Sequence, residues 1–119
     1  MIYASKQFQK KVKKEYKIIR EAIIQQLGNK CWKCGSQKAL SLHHILPIRY
    51  GGDNRVDNLM LLCLDKTAGN CHWKYNGKSY QWLKKNKERI ERWSKNRIIK
   101  EMRKVLINGE LQYKPKRIR

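Results

Sequence analysis

Acidic residues are scarce in this chain: 9 Asp+Glu stand against 29 Lys+Arg in 119 residues, a formal net charge of +20. A surface so one-sided repels itself unless a polyanion is its normal partner, which points to nucleic acid rather than to a small-molecule substrate. Long apolar runs are missing as well. No uncharged stretch approaches the ~20 residues of a membrane span, and no membrane partner is expected. The start, Met1-Ile2-Tyr3-Ala4-Ser5-Lys6, lacks the apolar segment of a secretory signal. An intracellular protein is therefore expected, in a compartment where thiols stay reduced. Internal repeats are absent too, and the length suits a single domain with a thin core.

Against this background the four cysteines stand out. In a reduced compartment they favour metal ligation over disulfides. Cys31-x-x-Cys34 is a turn that lets two thiolates reach one tetrahedral ion. No βαβ pattern surrounds it, which speaks against a thioredoxin-like redox pair. Cys63 and Cys71 are the remaining thiols, with seven residues between them; the alternative for Cys63 is a simple buried strand residue.

Charge divides the chain into segments. Residues 1–30 carry a net +6, residues 31–76 only +3, and residues 77–119 +11. Phe8, Val12, Tyr16, Ile19, Ile23 and Leu27 mark one face of a helix that Ser5 can cap and Gly28 can end. Its lysines are open to a solvated or a phosphate-facing reading. Ala39 to Ile45 predicts a strand, Gly51-Gly52-Asp53-Asn54 a turn, and Leu59-Met60-Leu61-Leu62 the antiparallel partner. A helix should start near Cys71-His72. From Ser79 the chain reads as helical again, with Tyr80, Leu83, Ile90, Trp93, Ile98, Met102 and Leu106 as candidate core and breaks at Gly77 and Asn96. The tail Lys114–Arg119 is expected to order only on a partner.

Within the least basic segment lie Leu42-His43-His44-Ile45, Gly51-Gly52, Asn58-Leu59, Cys63, Cys71-His72 and Asn76. Neighbouring residues on a strand point to opposite sides, so His43 and His44 cannot do the same job. His72 and Asn76 are four apart on the predicted helix and share a face. Asn76-Gly77 also reads as a helix-ending turn. In their order and spacing, residues 31–76 resemble the HNH endonucleases, the ββα-metal family that hydrolyses DNA phosphodiester bonds.

The resemblance implies an α+β fold: a ββα-metal core with a structural Zn²⁺ on Cys31, Cys34, Cys63 and Cys71, flanked by basic N- and C-terminal helices. The seven residues between Cys63 and Cys71 depart from the family's usual Cys-x-x-Cys and are expected to form an inserted loop. Carried over by position, His43, His72 and Asn76 hold a catalytic Mg²⁺ or Mn²⁺ and His44 is the general base. Asn58, with Asn54 as competitor, holds the loop that orients that base. The implied activity is nicking of double-stranded DNA, one strand per active site, by a monomer or homodimer. A phage or prophage origin and the cytoplasm of a bacterial host follow from the same resemblance. Arg49 and Arg55 are candidates for the scissile phosphate. Arg89, Arg92, Lys95, Arg97, Lys100, Arg103 and Lys104 are candidates for tracking the backbone. The alternatives are a zinc-bearing nucleic-acid-binding module without catalysis and a nuclease selective for junctions or flaps.

Overall fold

The computed structural model describes residues 3–109, with side chains to Leu106; the tail Lys114–Arg119 lies outside these residues. The first helix, α1 (Lys6–Gln26), starts where Ser5 Oγ accepts the Phe8 N–H at 3.1 Å. It gives way to Gly28, whose φ of 102° suits a residue without Cβ. Of the predicted stripe only Val12 and Leu27 are buried, and Ile24, outside that stripe, is buried where Ile23 is only partly so. The reason is that α1 packs on a single strand and the turn beside it.

That strand, β1 (Leu40–His44), pairs antiparallel with β2 (Leu59–Cys63), Leu40 opposite Cys63 and His44 opposite Leu59. All five residues of β2 are buried, so it reads as a continuous apolar run rather than an alternating one. Its outer edge is closed: Trp32 N–H donates to Leu61 O, and the Arg103 guanidinium donates to Leu59 O. The outer edge of β1 is the one left to border a cleft.

Helix α2 (Cys71–Lys85) packs across both strands and is followed by α3 (Lys87–Ile90) and α4 (Lys95–Gly109). Two expected breaks are displaced. Gly77 lies inside α2, because Tyr75, Ser79 and Leu83 are buried at four-residue spacing and hold the helix on the hairpin. That packing outweighs the ~1 kcal/mol that glycine costs a helix interior. Asn96 sits in the first turn of α4, and the true break is at Trp93-Ser94, just before it. Tyr80 is 42% exposed and not core, whereas Ile99, absent from the expected core, is fully buried. Among the described residues no helix is long and apolar enough to cross a membrane.

Arg103 is also corrected. It is only 7% exposed, and its guanidinium donates to Val56 O at 3.0 Å and Leu59 O at 2.8 Å, tying α4 to the start of β2. It cannot track a nucleic-acid backbone. Arg103→Met should strand both carbonyls and destabilise the fold by about 2–4 kcal/mol, read as a fall in the urea midpoint at unchanged slope. An unmoved midpoint would contradict this role.

Candidate active site and metal centre

The turn after α1 and the C-terminal end of β2 bring the four sulfurs together. Cys31, Cys34, Cys63 and Cys71 Sγ lie within 4.8 Å of one another, all four as free thiols, with Cys34 Sγ 3.5 Å from Cys63 Sγ. Tetrahedral zinc with Zn–S bonds of about 2.3 Å requires sulfurs roughly 3.8 Å apart, so the set fits a single ion. The loop from Leu64 to Asn70 returns to it through Gly69, where a Cβ would come within 2.7 Å of Cys71 Sγ. Burial pushes the Cys31 and Cys71 thiols up. At Cys34 burial acts the same way, but the Ser36 and Gly69 N–H groups outweigh it and hold the thiol at about 7. A cation among them would stabilise all four as thiolates.

Beside this cluster, a cleft of about 630 Å³ runs along the outer edge of β1, whose Leu40 carbonyl accepts from Arg20. Gln9, Lys13 and Tyr16 of α1 form one wall, and His72, Asn76 and Ser79 of α2 form the other. His43 and His44 diverge between them as strand alternation requires. His43 is 1% exposed and turns to α2: Nδ1 donates to Asn76 Oδ1 at 3.1 Å, while Nε2 meets Ser79 Oγ at 3.0 Å. The His72 ring stands edge-on to it, centroids 5.5 Å apart.

The 3.1 Å between His43 Nδ1 and Asn76 Oδ1 is the separation of two neighbouring ligands on a hard divalent ion, roughly 3 Å for bonds near 2.1 Å. Ser79 was not singled out in the sequence. Its hydroxyl accepts as well as donates, so it also suits the His43 tautomer that carries the proton on Nε2 and leaves Nδ1 for an ion. Burial lowers all three imidazoles. For His43 the charge of His72 adds to it and takes the group down to about 3; for His72 the charge of His44 adds; at His44, Asn54 and Asp53 oppose it. All three rings are thus held neutral near pH 7, the form that ligates a metal or accepts a proton.

His44 turns to α1. Its Nε2–H donates to Asn54 Oδ1 at 2.8 Å, and its ring lies 5.2 Å from that of Tyr16. The amide orientation of Asn54 is set from α1, because Nδ2 donates to Val12 O at 2.9 Å and Glu15 Oε1 at 3.1 Å. Asn58 does different work. Its Oδ1 accepts the Leu46 N–H, and its Nδ2 donates to Leu46 O and Asp53 O, bracing the connection from β1 to β2. Gly52 must be glycine for this brace, since a Cβ there would overlap the Leu46 carbonyl. The two asparagines that compete for one role in the sequence have separate places. Only the contact between α1 and the loop, 42 residues apart, distinguishes them.

The basic candidates are dispersed. Arg49 lines the cleft, with its guanidinium over Tyr50 and Tyr80. Arg55 is held by Asp53 at 3.1 Å and Asp57 at 3.9 Å and does not line the cleft. Lys95 is tied to Asp53 at 3.0 Å. Arg89 donates to Asn86 and lies 4.7 Å over Trp93, whose ring Arg97 approaches at 4.8 Å. Arg92 and Lys100 are exposed, and Lys104 pairs with Glu101. Lys13, one of several lysines on α1 in the sequence, is brought into the cleft by the fold.

Comparison with known proteins adds one finding: residues 30–78 match the family model described as HNH endonuclease. No curated protein and no solved structure matches the chain. The matched segment takes in the cysteine cluster, the hairpin with both of its histidines, and the start of α2, while α1 and α4 fall outside it. With its antiparallel ββ hairpin, crossing helix and adjoining four-sulfur cluster, the segment 30–78 of this chain is similar to an HNH endonuclease domain.

Proposed function

We propose that this protein is a metal-dependent endonuclease that hydrolyses phosphodiester bonds in DNA and nicks one strand per active site. The observation that carries the reading is the state of His44. Its Nε2–H is committed to Asn54, which leaves the Nδ1 lone pair to act in a cleft shared with His43, His72 and Asn76.

In this reading a water oxygen attacks phosphorus as its proton passes to His44 Nδ1. The bond from phosphorus to the 3′-oxygen breaks, and that oxygen takes up a proton to become the 3′-hydroxyl. The other product keeps a 5′-phosphate. A neutral imidazole suits the proton-accepting role at neutral pH. Asn54, anchored by the Val12 carbonyl, keeps the ring aimed; displacement of about 1 Å costs on the order of 10²-fold in such reactions. Mg²⁺ or Mn²⁺ on His43, His72 and Asn76 would supply positive charge for the phosphate oxygens and the leaving oxygen. Arg49 and Lys13 are the cleft residues suited to hold the phosphate itself.

The test is conversion of supercoiled plasmid to open circle. Activity with Mg²⁺ or Mn²⁺ that is lost in their absence is the expected result. Plasmid binding without cleavage under either ion, on intact and branched DNA alike, would favour a zinc-bearing binding module and overturn the proposal.

A further inference from the structure

The nuclease reading uses the floor and walls of the cleft but not the aromatic cluster that gathers around Arg49, one of its lining residues. Tyr3 and Tyr50 are stacked, centroids 5.3 Å apart and planes 18° from parallel. Arg49 lies 5.2 Å over the Tyr50 ring and 5.6 Å over the Tyr80 ring. The cluster is assembled from three separate parts of the chain. Ala4 N–H donates to Arg49 O at 2.7 Å, and Gln9 Nε2 donates to Ala4 O, which brings the segment carrying Tyr3 against the turn carrying Tyr50. Tyr80 arrives from α2. Tyr3 and Tyr80 lie outside the segment that the family model matches, and Tyr50 lies within it.

Packing alone does not account for it. Tyr3 is 65% exposed although stacked, and Tyr80 is 42% exposed, which leaves aromatic surface open beside a cleft that carries a phosphate-binding candidate. In a protein of charge +20 the polyanion is close at hand. The flat face of a tyrosine recognises another flat ring. Inside a duplex the base faces are already stacked on one another, and only the edges are reachable; an unpaired base offers its face. Arg49 links the two halves, since one side chain both lines the cleft and contacts the rings. A phosphate in the cleft would place the base of the adjoining nucleotide beside these rings.

We propose that Tyr3, Tyr50 and Tyr80, with Arg49, form a stacking site for an unpaired DNA base next to the phosphate in the cleft. The preferred substrate would then be DNA with unpaired nucleotides at the cut, such as a gap, bulge or flap, rather than intact duplex. This rests on the nuclease reading for its meaning, but its test does not need cleavage.

The experiment uses the full-length, zinc-loaded protein without added Mg²⁺ or Mn²⁺. Fluorescence anisotropy is measured on an intact duplex and on the same duplex with a short unpaired stretch containing 2-aminopurine. Wild type should bind the interrupted DNA about tenfold more tightly than the intact one, the scale of one base–aromatic stack, and quench the 2-aminopurine. Tyr3→Ala should erase both the preference and the quenching and leave affinity for intact duplex unchanged; Tyr3→Trp should retain both. Equal wild-type affinity for the two DNAs, or equal weakening on both by Tyr3→Ala, would overturn the stacking site. Adding Mn²⁺ then separates the two readings. Preferential binding and quenching with no cut supports the stacking site and removes the nuclease. Cutting of both DNAs with no preference removes the stacking site and keeps the nuclease.

Discussion

His44→Ala is expected to slow plasmid nicking by ~10²–10⁴-fold, the range a positioned general base contributes, or about 3–5 kcal/mol of barrier. Zinc content should be unchanged and the melting temperature should fall by no more than a few degrees. The ring borders an open cleft, so water can take its place beside Asn54 Oδ1. The same geometry makes a sharper statement about Asn54. If that amide acts by holding His44, Asn54→Ala should slow nicking in the wild-type background and add little to His44→Ala, because two residues acting as a unit are not additive. Single-turnover rates of the four proteins in this cycle supply the check. Normal cutting by His44→Ala would sink the mechanism, and fully multiplicative losses would detach Asn54 from it.

The second large effect concerns the sulfur cluster. Cys63→Ser, or removal of the metal by a strong chelator, should unfold the hairpin region at 37 °C. Apparent binding energies of structural zinc sites, roughly 10–16 kcal/mol in small zinc-finger peptides, match or exceed the 5–15 kcal/mol stability of a whole domain. The geometry argues for the high end of the consequence. The cluster joins the turn after α1, the end of β2 and the first residue of α2, and α2 carries His72, Asn76 and Ser79. Losing the ion would release the helix that forms one wall of the cleft. Metal analysis should find one zinc per chain, and circular dichroism melts with and without it should differ by tens of degrees. A Cys63→Ser protein with an unaltered melt would show that packing, not a metal, holds these four residues together.

Most of the architecture was legible because it is local or periodic. The stripe from Phe8 to Leu27, the Ser5 cap and Gly28 marked α1 within one residue of its observed ends. The short segment before the Gly51–Asn54 turn and the apolar run after it marked β1 and β2, and their order with the cysteines marked the ββα core. The failures share a cause. Gly77 is a helix breaker by propensity, yet Tyr75, Ser79 and Leu83 bury one face of α2 on either side of it, and burial wins. Arg103 looks like any other arginine of a basic helix until α4 packs against the start of β2 and brings two backbone carbonyls to its guanidinium.

The site divides along the same line. By itself the sequence determined which residue types were available and in what order: a Cys-x-x-Cys, two further cysteines, paired histidines on a strand, and His72 and Asn76 on one helical face. Those follow from covalent spacing and from the periods of strand and helix. Only the tertiary structure decided that Asn54 accepts the hydrogen bond of His44 Nε2–H while Asn58 braces the loop, and that Ser79 backs His43. It alone brought Lys13 into the cleft and gathered three distant tyrosines around Arg49 and one another. These contacts span 10 to 42 residues or join separate elements, and no local pattern encodes which of several equivalent side chains will meet there.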